Sequence, residues 1–143
     1  MATRHMARIA KELANLASNP LDGFDLLYDL SKNPIRGFFI GPDSTPYAGG
    51  LFCLTIMYPE DSLEQEPVVR VETPILHPGI LKGRVCILAR WLPNRTLKWV
   101  LQQLKFMLQQ PNFDNCVNLE AVEVYRAGKF EEKARELTLT YAF

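Results

Sequence analysis

Apolar and polar positions recur with two different periods along this chain, and the change of period divides it into three parts. Over residues 3 to 18, Met6, Ile9, Leu13 and Leu16 return at the three-to-four-residue spacing of one helix face. Arg4, Arg8 and Lys11 follow the same spacing on another face, so the stretch predicts an amphipathic helix. "SNPLDG" breaks it with Asn, Pro and Gly. The middle of the chain consists of shorter apolar runs: "GFDLLYDL", "IRGFFIG", "GGLFCLTIMYP" and "PVVRVET". Turn signals such as "SKNP" separate them, and Pro74 closes the last. This pattern predicts four strands in an antiparallel meander. The final third returns to the helical period. In "TLKWVLQQLKFMLQQ", Leu97, Val100, Leu101, Leu104 and Leu108 form one broad core-facing stripe, and Pro111 ends it. Asn118 is the expected N-cap of "NLEAVEVYRAG", with Glu120 in the first turn. "KFEEKARELTLTYAF" predicts a last helix with charged faces. No repeat, linker or low-complexity tract intervenes, so residues 1–143 are expected to form one α+β domain.

Composition narrows the partners. Lys and Arg number 16, as do Asp and Glu, for a formal net charge of zero. Such a balance gives no overall basic field for nucleic acid. No apolar run approaches the ~20 residues of a membrane helix, and the N-terminus lacks the apolar block of a secretory signal. The three cysteines, Cys53, Cys86 and Cys116, are odd in number, widely spaced and free of any CxxC pair. That argues against a disulfide framework and against a Cys-based zinc site. His5 and His77 are far apart and make a poor metal pair. Free thiols in a reducing compartment are expected, and neither a metal nor a bound cofactor.

Between the fourth strand and the long helix lies a loop-rich stretch, residues 74 to 96. It contains "HPGILKGRVCILARW", with Cys86 near its centre. Loops on a rigid scaffold concentrate function. Lys82, Arg84, Arg90 and Arg95 surround Cys86 in sequence, and positive charge favours thiolate over thiol if the fold brings it near. Val85, Ile87 and Leu88 equally suit a cysteine that is only a small buried residue. Local sequence leaves both readings open. Cys53, between Phe52 and Leu54, reads as a buried hydrophobe, and Cys116 as a loop residue without function.

Several motifs in order decide for Cys86. "GPDSTPYAGGLFCLTIMYP", "HPGILKGRVCIL", "WLPNRTL" and "LQQPNFDNCVNLEAVEVY" follow one another after the helix "RIAKELANL". Together they resemble the ubiquitin-conjugating enzyme family almost end to end. The resemblance implies the ubiquitin-conjugating fold: an N-terminal helix, a four-stranded antiparallel meander, an active-site loop and C-terminal helices. It also places the family's thioester-forming cysteine on Cys86. An activating enzyme, which uses ATP, would load ubiquitin or a ubiquitin-like protein there, and the carrier would pass it to a ligase or substrate. His77, Pro78 and Gly79 stand where the family has a His-Pro-Asn tripeptide, so Gly79 replaces an asparagine associated with the oxyanion. Leu88 stands where many members have Asp. Asn115, with Asp114 before it, stands at a later acidic position facing the site. These departures weigh against direct transfer to lysine. They point instead to a carrier serving cysteine-using ligases, to an unusual amine acceptor, or to a weakened relative acting as a scaffold. A cysteine hydrolase using Cys86 and His77 is the remaining class, and would need the imidazole within reach of the thiol.

The resemblance implies partner surfaces too. Arg4, Arg8 and Lys11 would meet the activating enzyme. Pro59, Leu63, Glu64, Leu92 and Pro93 would meet a ligase of unknown type. Glu60, Asp61 and Glu64 make that surface acidic, so the ligase is expected to present basic groups and common RING-type ligases to bind poorly. A monomer in the cytoplasm or nucleus is expected.

Overall fold

The computed structural model describes residues 2–27, 34–59, 65–115 and 117–143, with the side chains of residues 2–5 left out. The first helix, α1, spans Ala2–Ser18. Leu13 and Leu16 of its predicted apolar face are buried and Ile9 is half-buried, whereas Met6 is exposed.

The meander follows: β1 (Phe24–Leu26), β2 (Ile35–Ile40), β3 (Leu51–Met57) and β4 (Val68–Val71), each antiparallel to the one before. Alternation sorts the faces. In β2, Ile35, Gly37 and Phe39 are buried, while Arg36, Phe38 and Ile40 are exposed. Phe24 stacks on Phe39 and Phe39 on Phe52, with ring centroids 5.3 and 5.0 Å apart, so aromatic rings tie the inner face across three strands.

The sheet is larger than the sequence predicts. Two further strands, β5 (Ile80–Leu81) and β6 (Arg84–Val85), extend it to the order β1-β2-β3-β4-β6-β5. They occupy part of the stretch expected to be irregular. Arg84 pairs with Arg70 of β4, and Lys82 and Gly83 make the turn with φ of 51° and 85°. Two successive positive φ values are those of a tight hairpin whose twist matches its strands.

The helix α2 (Leu97–Gln109) lies under the sheet and buries all five residues of its predicted stripe. Thr96 caps it by accepting from the Trp99 N–H. The helices α3 (Leu119–Arg126) and α4 (Phe130–Tyr141) follow. Asn118 caps α3 as expected, accepting from the Ala121 N–H.

Candidate active site

Cys86 directly follows β6, so the short hairpin sets its place. Its N–H donates to the Gly79 carbonyl at 2.9 Å, continuing the pairing one step past the strands. The side chain is half-buried in a cleft of about 240 Å³, shared with His77, Gly79, Leu88, Met107, Asn112 and Asn115.

The turn opposite is fixed from several sides. His77 is almost fully buried. Its Nδ1 accepts from the Gly79 N–H at 2.9 Å, so its Nε2 carries the proton and donates to the Met107 carbonyl at 2.7 Å. Burial holds the imidazole below its usual pKa, against the opposing effect of the Met107 carbonyl. The ring is therefore neutral, with both nitrogens bonded to backbone. It has no free nitrogen for Cys86, and the hydrolase reading is dropped on that ground. Tyr47 is buried beside it, with ring centroids 6.1 Å apart, and donates its hydroxyl proton to the carbonyl of Leu76, the residue before His77. Buried Pro78 accepts from the Val117 and Asn118 N–H groups at 3.0 and 3.1 Å. The Asn118 side chain donates to the carbonyls of His77 and Ile80 at 3.3 and 3.0 Å.

The fold thus brings His77, Gly79 and Asn115 to Cys86. Asp114 is exposed beside the cleft but does not line it, and Pro78 acts through its carbonyl behind the turn. Lys82, Arg84, Arg90 and Arg95 do not line the cleft either. The electropositive surroundings considered for Cys86 are therefore not built from these four cations. Lys82 sits in the hairpin turn, Arg84 is exposed on β6, and Arg95 lies over the Trp99 ring at 4.9 Å. Leu88 is exposed at the rim.

Cys53 corrects the sequence reading. It is exposed, because Phe52 and Leu54 take the buried phase of β3 and leave the residue between them on the outer face. Cys116, Leu63 and Glu64, with Glu60 and Asp61, lie outside the described residues. Pro59 and Leu92 are half-buried and Pro93 is exposed. On α1, Lys11 is exposed, but Arg8 is half-buried and turned inward: it donates to the Arg95 carbonyl at 2.7 Å and pairs with Glu12 at 3.5 Å.

Sequence reasoning passed over Met107, Asn112 and the two glutamines Gln103 and Gln110, which also line the cleft. Only Asn112 had a signal, as the Asn of "QQPNF" inside a family motif. Among the described residues no group of three or more His, Cys, Asp and Glu side chains is arranged to hold a metal.

Comparison with known proteins accords with this geometry. The family model described as ubiquitin-conjugating enzyme matches residues 8–138. The "Ubiquitin-conjugating enzyme E2 N" of Drosophila melanogaster is 33% identical over 144 residues, covering 94% of each chain. The "Ubiquitin-conjugating enzyme E2 1" of Schizosaccharomyces pombe is 32% identical over 152 residues, covering 99% of this chain and 69% of that protein. The "Probable ubiquitin-conjugating enzyme E2 31" of Arabidopsis thaliana is 34% identical over 108 residues, covering 71% of this chain and 70% of that protein.

Proposed function

The chain belongs to the ubiquitin-conjugating enzyme family, and from that premise we propose that it carries ubiquitin or a ubiquitin-like protein as a thioester on Cys86. The observation that carries this reading is the seat of Cys86. It opens into a cleft beside the His77 turn, while Cys53 stands away on the outer face of the sheet.

In the loading step, the Cys86 thiolate attacks the thioester carbonyl carbon held on the activating enzyme. A C–S bond forms to Cys86, the carbonyl oxygen takes the negative charge, and collapse expels the activating enzyme's own thiolate. One thioester replaces another, so the exchange is near thermoneutral and needs little acid–base help. In the discharge step an acceptor thiolate or amine attacks the same carbon and Cys86 leaves as thiolate. A lysine amine must first lose its proton, and a carboxylate near the cysteine would favour that loss. Among the described residues, apolar groups and neutral amides line this cleft, and no Asp or Glu does. Discharge to a cysteine-using ligase is therefore the expected main route. The scaffold reading is not favoured, because the cysteine is kept and accessible in its cleft.

The test is a loading assay with activating enzyme, ATP and ubiquitin, read on a non-reducing gel. A band removed by thiol reductant, retained in Cys53→Ser and replaced in Cys86→Ser by none or by a reductant-resistant ester, supports the reading. If ubiquitin and ubiquitin-like modifiers with their own activating enzymes all give no such band, the carrier function is wrong.

A further inference from the structure

The oxyanion that forms at the thioester carbon needs hydrogen-bond donors already in place. Around Cys86 the obvious ones are committed. The Gly79 N–H is bonded to His77 Nδ1, and the Cys86 N–H to the Gly79 carbonyl. Gly79 has no side chain to offer, and a Cβ there would come within 2.6 Å of the Met107 Cε, so the flexible end of Met107 would have to shift to admit one.

Among the described residues, four neutral amide side chains line the cleft: Gln103, Gln110, Asn112 and Asn115. One of them is held in orientation. The Asn112 Oδ1 accepts from the Asp114 and Asn115 N–H groups at 2.9 and 3.3 Å. That bond pair pins the oxygen toward the backbone of its own turn and directs the Nδ2 the other way. Among the described residues, the Nδ2 donates to none, and no hydrogen bond holds the other three amide side chains. A donor fixed by its own acceptor requires no reorganisation when charge develops.

We propose that Asn112 is a catalytic residue of this site, its Nδ2 supplying to the oxyanion the hydrogen bond that Gly79 lacks a side chain to give. The proposal rests on the reading of Cys86 as the thioester carrier. Because Asn112 is exposed at the cleft rim, its contribution belongs at or below the low end of the range for such donors, a loss of about ten- to a hundredfold on removal.

The deciding variant is Asn112→Asp. It keeps the oxygen that accepts from Asp114 and Asn115, and so keeps the turn, but removes both N–H donors. Loading is measured first, then single-turnover discharge to free cysteine and to free lysine, with a thermal melt to verify folding. The expected result is a variant that folds and loads, and discharges about ten- to a hundredfold more slowly to both acceptors. A second background, Gly79→Asn with Met107→Ala, places an amide beside the cysteine and removes the methyl that would crowd it. There, Asn112→Asp is expected to recover most of its discharge rate. Unchanged discharge in Asn112→Asp would overturn the proposal and assign the oxyanion to backbone donors such as the Ile87 and Leu88 N–H groups. Slow discharge that the second background fails to recover would also overturn it, since repulsion by the new carboxylate or damage to the turn would then be the cause. Failure of the unsubstituted protein to load would remove the carrier reading itself, and this proposal with it.

Discussion

Asn118 divides one side chain between two elements: its Oδ1 caps α3 through the Ala121 N–H, while its Nδ2 donates to the His77 and Ile80 carbonyls. Asn118→Ala removes the cap and both donations, and is expected to lower stability by about 2 kcal/mol in urea unfolding. Asn118→Asp keeps a capping oxygen but turns a carboxylate toward two carbonyls, so it should also destabilise, although α3 stays capped. His77 contributes a pH dependence whose sign follows from its burial. Its folded pKa lies below the unfolded value, so the unfolded chain takes up the proton first as pH falls. Stability from this group is fully present above the unfolded pKa of about 6.5 and declines as pH drops from there through the folded pKa. Protonation would also set an N–H of the ring against the Gly79 N–H. Unfolding titrations from neutral to mildly acid pH should therefore show a steeper loss for the unsubstituted protein than for His77→Gln; parallel curves would contradict the assignment. Cys53, exposed on the outer face, should react with a maleimide in the native protein, as mass spectrometry of tryptic peptides would show. Cys53→Ser should change stability by no more than about 0.5 kcal/mol.

At the scale of elements, the β5–β6 hairpin sets the seat of Cys86, and its turn is its weak point. Gly83 has a φ of +85°, and a Cβ there would meet the Val71 carbonyl oxygen at 2.8 Å. Gly83→Ala should cost roughly 1–3 kcal/mol through left-handed strain and that contact, and should slow loading by shifting β6. Lys82 adopts a left-handed φ of 51° without being glycine, so Lys82→Asn should raise the melting temperature, for a gain of up to about 1 kcal/mol. Its carbonyl, which accepts from Arg70, is unchanged by the substitution. These strands also mark where sequence reading stopped. The stripe of α2 was legible because five leucine and valine positions at helical spacing leave few alternatives, and the Asn118 cap because its residue type and place coincide. Two-residue strands carry no period, and Lys-Gly is not among the dipeptides that announce a tight hairpin. Cys86 was legible through motif order. The crowding of the Gly79 space by Met107, and the bond from His77 Nε2 to the Met107 carbonyl, depend on contacts some 30 residues apart that local pattern does not encode. Cys53 was misread although the alternation of β3 pointed outward: an apolar setting was given more weight than the phase of the strand.

At the scale of the whole molecule, α1 is locked to the start of α2. The Glu12 Oε1 accepts from the Leu97 N–H at 2.6 Å, Arg8 donates to the Arg95 carbonyl just before α2, and Lys98 reaches the Asn19 carbonyl at 3.0 Å. The helix face expected to meet the activating enzyme and the loop of Leu92 and Pro93, expected to meet the ligase, therefore share one joint. This joint divides the roles of the basic residues on α1. Arg8 is bound up in holding the two helices together, whereas Lys11 is exposed. Arg8→Ala should lower stability by about 1–2 kcal/mol. Its effect on loading should vary little with salt, because the lost contacts are internal. Lys11→Glu should leave the melting temperature unchanged. It should slow loading at limiting activating enzyme, with the deficit shrinking as salt rises, since exposed charges steer association only within a screening length. Initial loading rates at low and high salt, taken beside thermal melts of both variants, separate the two roles. A salt-independent deficit in Lys11→Glu would place the activating-enzyme contact elsewhere. A salt-sensitive deficit in Arg8→Ala with no change in stability would mean that Arg8 leaves Glu12 and Arg95 to meet the partner, and that the joint between the two helices opens during loading.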